Sequence, residues 1–313
     1  MARYLHLFTF ALFLVASSGQ AQSAEPDALA VSVGLAAPSW GQARSLPELQ
    51  AFLAKARVHL QEDEILQSQY VFVEKRRDLK LDKSGQQVSE SVSVYESYPG
   101  LPGKARWRRQ LVKNGRPVSP AELAKQDRER REHVLKYAAQ MERESTSKRT
   151  ASARQREKRR RESEATIDDA LRIYDIRMLG REVRGGHEAI VLSFTPRPGV
   201  QPRTGDGKVL KNFSGKAWIS ETEFQLARLE LEAVDTVSIG LGVVARIHQG
   251  SHLVFERRKV NGEEWLPVAA SYTVSARMLL LKRVRVGAVS EFSDYRKFTV
   301  ATETAIASPK DER

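Results

Sequence analysis

The chain has 313 residues, of which 41% are hydrophobic and 29% are charged, and it carries a formal net charge of +12. A chain of this length and composition can bury a sizeable core, which excludes a disordered protein. It contains no cysteine, which excludes a disulfide scaffold and a thiolate metal site.

The N-terminal residues have the pattern of a secretory signal peptide. Arg3 supplies a positive charge, and an apolar run follows from Leu5 to Ala16. A membrane-spanning helix needs roughly 20 apolar residues, so this run is too short for an anchor. Gly19-Gln20-Ala21 fits the small-x-small cleavage rule. We therefore expect a signal peptide at residues 1–21, cleaved near Ala21, a flexible segment at residues 22–45 and a periplasmic mature protein.

The chain from Leu46 predicts one helix and then three strands. The helix should lie against a sheet, because its apolar residues recur at helical spacing: Leu49, Phe52, Leu53, Ala56 and Leu60. Alternation with a period of two residues then predicts strands that start at Tyr70 and run over Val88 to Tyr98 and Ala105 to Val112.

A charged insertion follows at residues 119–165. Ser119-Pro120 is typical of a helix start, with Ser as the cap and Pro in the first turn. The net charge between residues 148 and 161 is +7. The cations of this basic segment are Lys148, Arg149, Arg154, Arg156, Lys158, Arg159, Arg160 and Arg161. It has no large apolar side chain, so it is either a solvated helix or disordered, and either a solubilising insertion or a docking arm for an anionic partner.

The rest of the chain predicts strands in sequential hairpins. They cover Tyr174–Val183, Glu188–Thr195, Phe213–Ser220, Phe224–Val234, Val243–His248, Leu253–Val260, Trp265–Arg277, Met278–Val286 and Glu291–Val300, with a loop through Gly205-Asp206-Gly207. An antiparallel sheet of this size curls. The expected fold is therefore α+β: a strongly curved antiparallel half-barrel at residues 46–118 and 166–302, with helices at its concave face and a polar tail at residues 303–313.

Three successive patterns resemble the outer-membrane lipoprotein-sorting superfamily. They are the strand Gly186 to Pro196, the Gly215-Lys216-Ala217-Trp218-Ile219 strand, and the strand Gln225 to Leu231 that returns with Arg228. The resemblance implies a periplasmic half-barrel whose apolar cleft accommodates acyl chains or a lipoprotein, or that senses envelope state in regulatory relatives. This chain departs from the family in its basic insertion and in the acidic turn Ser220-Glu221-Thr222-Glu223.

A carrier of this kind needs an apolar cleft with few polar groups at its rim. The candidate side chains for the lining of such a cleft are Trp218, Leu229, Leu231, Phe255, Trp265, Met278 and Leu280. Strand alternation places Leu229 and Leu231 on the same buried side of their strand. We expect a binding or carrier protein for a lipid or lipoprotein acyl group. The alternative is a non-enzymatic regulatory or scaffold protein that docks an acidic envelope protein, or an anionic membrane surface, through the basic segment.

Candidate catalytic patterns are weak. The glycines of Gly240-Leu241-Gly242 are followed by a strand-like sequence, whereas a dinucleotide site needs a helix there. The histidines lack zinc-protease spacing, and no Gly-x-Ser-x-Gly elbow occurs. We therefore expect no enzyme, no metal site, no cofactor and no nucleic-acid partner.

The signal-peptide hypothesis predicts that export depends on the apolar run. Replacing Leu12 and Leu14 by Arg breaks that run, so full-length precursor should accumulate in the cytoplasm, as measured by cell fractionation. Normal export of the double variant would contradict the hypothesis.

Overall fold

The structure, a computed structural model, describes residues 44–67, 70–99, 106–142, 146–239, 245–278 and 282–297. The signal peptide expected at residues 1–21, Leu280 and the polar tail expected at residues 303–313 lie outside the described residues.

Four helices and thirteen strands lie in the described residues. The helices are α1 (Leu49–Gln67), α2 (Pro120–Glu142), α3 (Thr146–Ile173) and α4 (Gly205–Leu210). The strands are β1 (Tyr70–Leu81), β2 (Gln87–Tyr98), β3 (Trp107–Lys113), β4 (Arg116–Pro117), β5 (Tyr174–Arg184), β6 (His187–Pro196), β7 (Phe213–Ser220), β8 (Leu226–Ala233), β9 (Val237–Ile239), β10 (Ala245–Ile247), β11 (His252–Val260), β12 (Glu264–Met278) and β13 (Lys282–Lys297).

The sheet follows the order β4-β3-β2-β1-β13-β12-β11-β8-β7-β6-β5, and β9 and β10 form a side ladder on β12. The strands from β12 through β11, β8, β7 and β6 to β5 pair antiparallel. In the pair β5 and β6, the turn Gly185-Gly186 joins the paired residues Arg184 and His187. Both turn glycines have positive φ, which glycine adopts without strain. The expected class, an α+β fold built on one large antiparallel sheet, is confirmed.

The described residues fall into two compact units. The first comprises those within Met1–Gln61, Asp78–Glu90 and Arg161–Val289, and the second those within Glu62–Arg77, Ser91–Arg160 and Ser290–Arg313.

The core of the first unit lies between α1 and the sheet. Phe52 and Ala56 of α1 are buried against Ile190, Leu192 and Ile219. The helix expected to lie against a sheet therefore does so. Its apolar residues face one way because they recur every three or four positions.

The core of the second unit mixes aromatic and charged side chains. The Phe72 ring packs on the rings of Phe292 and Tyr295, with centroids 5.7 and 5.2 Å away. The guanidinium of Arg106 lies 4.7 Å from the centre of the Phe72 ring and donates to Ser97. Burial lowers the pKa of Arg106 to about 10. Glu74 is also buried and accepts hydrogen bonds from Arg108 and Ser290.

From Pro120 onward, the described residues of the charged insertion lie in the helices α2 and α3. α2 begins at Pro120, where the Ser119 hydroxyl accepts from the Glu122 N–H. It is held on β3 by a two-point ion pair between Arg109 and Asp127, with N–O distances of 2.8 and 3.0 Å.

Three expected elements differ in the structure. The described residues Lys282–Lys297, which include parts of the strands expected at Met278–Val286 and Glu291–Val300, form one strand, β13, in which Ala288 and Ser290 are buried, whereas Met278 ends β12. The loop expected at Gly205-Asp206-Gly207 begins α4, because Thr204 caps it by accepting from the Gly207 N–H. Phe224, expected in a strand, is instead a turn residue with φ of 58°.

Candidate ligand-binding site

Two parallel rows of side chains cross the sheet of the first unit beneath α1. The first row runs over five paired strands through Met178, Leu192, Ala217, Leu229 and Phe255. Paired strands lie about 4.8 Å apart, so the row spans roughly 19 Å. It forms a continuous apolar track, and we call the side of the sheet that carries it the covered face.

The second row lies beside the first and contains Ile176, Phe194, Gly215, Leu231 and Leu253. A Cβ at Gly215 would lie 2.9 Å from the end of the Phe194 ring and 1.9 Å from the Glu230 carbonyl oxygen. The glycine is therefore required by close packing within the row.

Charged groups hold the N-terminus of α1. Arg44, just before the helix, pairs with Glu188 and Glu221 at 3.1 and 2.6 Å. Arg181 of β5 pairs with Glu221 at 2.5 Å and donates to the carbonyls of Arg44 and Ser45. We call Arg44, Arg181, Glu188 and Glu221 the N-terminal clamp. The hydrogen bond from Arg181 lowers the pKa of Glu221.

A second attachment lies further along α1. Arg57 donates to both carboxylate oxygens of Asp168 on α3, at 2.6 and 2.9 Å. This hydrogen bond lowers the pKa of Asp168 and raises that of Arg57. Two turns of α1 therefore lie between polar attachments, and its apolar side chains lie between them on the covered face.

Two shallow clefts flank α1. One has a volume of about 220 Å³ and is lined by Leu49, Gln50, Leu53, Ala54, Arg57, Leu171, Ile176 and Arg197. The other has a volume of about 230 Å³ and is lined by Pro47, Glu48, Ala51, Phe52, Lys55, Glu221 and Phe224. Small-molecule pockets commonly have roughly 300–1,000 Å³, so each cleft is small for a lipid while α1 is docked.

The structure brings together three of the seven side chains expected in the cleft. Leu229 and Phe255 are direct neighbours in the first row, and Leu231 lies in the second. Met278 is the last residue of β12. Leu280 lies outside the described residues.

The expectation that Trp218 and Trp265 share this face is wrong. Both belong to a separate buried cluster. Trp218 points away from the covered face because it lies between Ala217 and Ile219, whose side chains are on that face, and successive side chains of a strand point to opposite faces. The Trp218 indole donates to Glu182 at 2.9 Å, and the Trp265 indole donates to Glu223 at 3.0 Å. Arg184 and Arg228 lie over the Trp218 ring. These tryptophans are anchored by polar partners on the opposite face.

The basic segment, residues 148–161, lies on α3. The side chains of Arg154, Lys158, Arg159, Arg160 and Arg161 are exposed. Arg160 pairs with Glu157 at 3.0 Å, and both groups of this pair remain largely in solvent. The segment therefore presents positive charge in helical form.

Among the described residues, no group of three or more His, Asp or Glu side chains is placed to hold a metal ion. None of the described helices is long and apolar enough to cross a membrane.

Sequence reasoning missed the groups that hold α1. Glu221 lies in the acidic turn that departs from the lipoprotein-sorting pattern. This departure is the one signal in the sequence that points to a special role for Glu221. Arg44 and Arg181 lie far apart in the sequence, and no local spacing indicates that both reach Glu221.

Solved structures similar to this chain include a LolA superfamily protein from Nitrosomonas europaea, with 12% identity over 84% of this chain and 99% of the other and a TM-score of 0.30. A putative outer membrane lipoprotein-sorting protein domain from Vibrio parahaemolyticus has 10% identity over 81% of this chain and 97% of the other, with a TM-score of 0.32. A MucA/MucB complex from Pseudomonas aeruginosa matches with 10% identity over 78% of this chain and 99% of the other, with a TM-score of 0.23.

No protein-family profile and no curated protein sequence matches the chain. One of these solved structures is described as a lipoprotein-sorting domain, the superfamily that the sequence patterns resemble. TM-scores of this size identify no family and assign no function.

The N-terminal clamp predicts that the free energy of unfolding depends on pH through the ionisation of Glu221. Its pKa in the folded state lies below the ordinary value of 4.5, so its ion pairs stabilise fully above that pH and are lost as the pH falls through the folded pKa. Glu221→Gln should lower the free energy of unfolding by about 1 to 3 kcal/mol at pH 7. The loss should shrink between about pH 5 and pH 3, measured by urea unfolding.

The control for this experiment is Glu232→Gln, which changes an exposed glutamate of β8. It should alter stability by less than about 0.5 kcal/mol at any pH. A Glu221→Gln variant whose stability falls in parallel with the wild type on acidification would contradict the role given to the clamp.

Proposed function

We propose that the chain binds an acyl chain of a lipid or lipoprotein on the covered face, with α1 as a movable cover. The observation that carries this proposal is the apolar track from Met178 to Phe255 beneath a helix that packs on it through apolar side chains and is otherwise held by ion pairs. An acyl chain that runs across the strands would contact the same side chains that α1 now covers.

Energetics favour a cover that can be displaced. Each methylene removed from water contributes about 0.8 kcal/mol, so several buried methylenes gain several kcal/mol. The Arg57–Asp168 and Arg44–Glu188 pairs are substantially exposed, and such pairs contribute roughly 0–1 kcal/mol each. The gain from acyl burial therefore exceeds the cost of releasing these two exposed pairs. The ligand competes mainly with the less exposed Glu221 ion pairs and with the apolar contacts of Phe52 and its neighbours on α1.

Displacement is also needed on grounds of volume. The clefts of about 220 and 230 Å³ beside α1 are below the common range for ligand pockets. Binding by this mechanism requires shape and apolar lining and no catalytic group. We therefore propose a non-enzymatic carrier, acting in the periplasm if the signal peptide functions as expected.

The carrier proposal is tested at Leu229, in the middle of the track. Leu229→Ser removes a large apolar group and adds a hydroxyl, so it should weaken binding of an acyl ligand more than it lowers ligand-free stability. Palmitate should raise the thermal unfolding midpoint of the wild type clearly and that of Leu229→Ser much less.

The matched control is Leu179→Ser, at an exposed leucine of β5. It should show the same palmitate shift as the wild type. If neither palmitate nor a phospholipid moves the wild-type midpoint, the covered face is a dry core and the carrier proposal fails.

A second candidate function is docking to an anionic surface through the basic segment. The segment has a net charge of +7 over fourteen residues. It has no apolar side chain larger than alanine, whereas a specific protein interface normally has aromatic or apolar anchors at its centre. The charge therefore favours an anionic lipid surface over an acidic protein as the partner.

The docking proposal is tested on vesicles of phosphatidylglycerol mixed with phosphatidylcholine. The triple substitution of Arg154, Lys158 and Arg159 by Gln should weaken binding at least tenfold at low salt. Near 0.1 M salt, wild-type binding should also fall, because exposed charges are screened beyond about 10 Å.

The control for docking removes the same charge from α2, by substituting exposed Lys125, Arg128 and Arg131 by Gln. It should weaken vesicle binding much less. If both triple variants lose vesicle binding equally, the binding depends on overall charge alone. That result would overturn a specific role for the basic segment.

A further inference from the structure

The turn between β7 and β8 contains a strained residue. Phe224 has a φ of 58°, in the left-handed region that glycine adopts freely and that is unfavourable for a bulky aromatic residue. The conformation is fixed by the turn itself. The Phe224 N–H donates to the Ser220 carbonyl at 2.9 Å, and the Ser220 N–H donates to the Gln225 carbonyl at 2.8 Å.

The Phe224 side chain is packed on one stripe of α1. Its ring centroid lies 5.5 Å from that of Phe52 and 6.2 Å from that of His59, with the His59 ring stacked on it. The Lys55 ammonium lies 5.2 Å from the centre of the ring. These three α1 residues are spaced by three and four positions, so one aromatic ring contacts two turns of the helix.

The backbone strain at Phe224 is connected with the packing of its ring on α1. The backbone at this position favours glycine, which would have no side chain to place against α1. The contacts of Phe224 with Phe52, Lys55 and His59 exist only while α1 is docked, and these contacts offset part of the cost of its backbone conformation. Phe224 thus stabilises the docked position of α1, and this stabilisation is lost when α1 is displaced.

The ring also lines one of the two clefts beside α1. Phe224 and Phe52 line the cleft of about 230 Å³ beside α1, and Phe224 packs against the buried cluster that contains Leu226 and Ile219. The adjacent Gln225 amide lies 3.3 Å from His59, so the turn contacts α1 at two consecutive residues.

We propose that Phe224 is the specificity-determining residue of the covered face: its ring holds α1 closed and sets the minimum length of acyl chain that can bind. This inference rests on the proposed carrier function. A ligand must replace the contacts of the ring as well as those of α1. Because each buried methylene contributes about fourfold in affinity, a long chain can do so and a short chain cannot.

The test compares Phe224→Gly with Asn261→Gly. Asn261 has a φ of 53° in the turn between β11 and β12, so its substitution also places glycine at a left-handed position, in a turn other than the one that carries the α1 contacts of Phe224. Binding of octanoate, laurate and palmitate is measured by displacement of the fluorescent fatty acid cis-parinaric acid. In Phe224→Gly the Kd for laurate should fall at least tenfold, whereas in Asn261→Gly it should not change.

Phe224→Ala distinguishes the effect of losing the ring from the effect of relieving the backbone strain. It removes the ring but keeps a side chain with a Cβ at a left-handed position. It should bind laurate more tightly than the wild type, as Phe224→Gly does. A Kd for laurate that is unchanged or higher in folded Phe224→Gly, with palmitate binding to the wild type, would overturn the assignment of Phe224 and leave the carrier function standing.

Hydrogen exchange without ligand gives an independent readout. Amide exchange of residues 49–59 should rise about tenfold in Phe224→Gly and remain at the wild-type rate in Asn261→Gly, because α1 opens locally more often without the ring. Unchanged exchange would overturn the role of Phe224 in holding α1. If no fatty acid binds either the wild type or the variant, the carrier function fails, and the exchange rates alone decide whether Phe224 holds the helix.

Discussion

The packing of α1 on the covered face is the contact on which the rest of the first unit depends. Phe52 and Ala56 fill the space over Ile190, Leu192 and Ile219, and without them a track of apolar side chains across five strands would face water. An exposed apolar surface of this kind is rarely left open in a soluble protein. The helix is therefore required for a stable empty state, whatever the face binds.

The attachments of α1 are of two kinds, which respond to different conditions. The contacts beneath it are apolar and insensitive to salt, whereas the N-terminal clamp and the Arg57–Asp168 pair are ionic and partly exposed. Exposed pairs orient a helix more than they stabilise it. The apolar contacts thus supply most of the stability and the ionic contacts fix the position, which is the division expected of a cover that an apolar ligand can replace.

The second unit distributes its charges differently. In a compact aromatic and polar network, Arg106 donates to Ser97, and the buried Glu74 accepts from Arg108 and Ser290. Such networks are costly to leave incomplete, so they favour one arrangement of the strands. The basic segment of α3, by contrast, keeps its charge at the surface, where it can contribute to association with anions but adds little to the fold.

The sequence by itself determined most of the element types and part of the covered face. The spacing of Leu49, Phe52, Leu53 and Ala56 predicts the helix, and the alternation of Leu229 and Leu231 predicts the face they share, because both patterns are periodic and local. Only the tertiary structure decided that Trp218 and Trp265 lie on the opposite face, that Arg44 and Arg181 meet at Glu221, and that Phe224 is a turn residue packed on α1. These features depend on strand register and on contacts between residues distant in the chain, which no local pattern records.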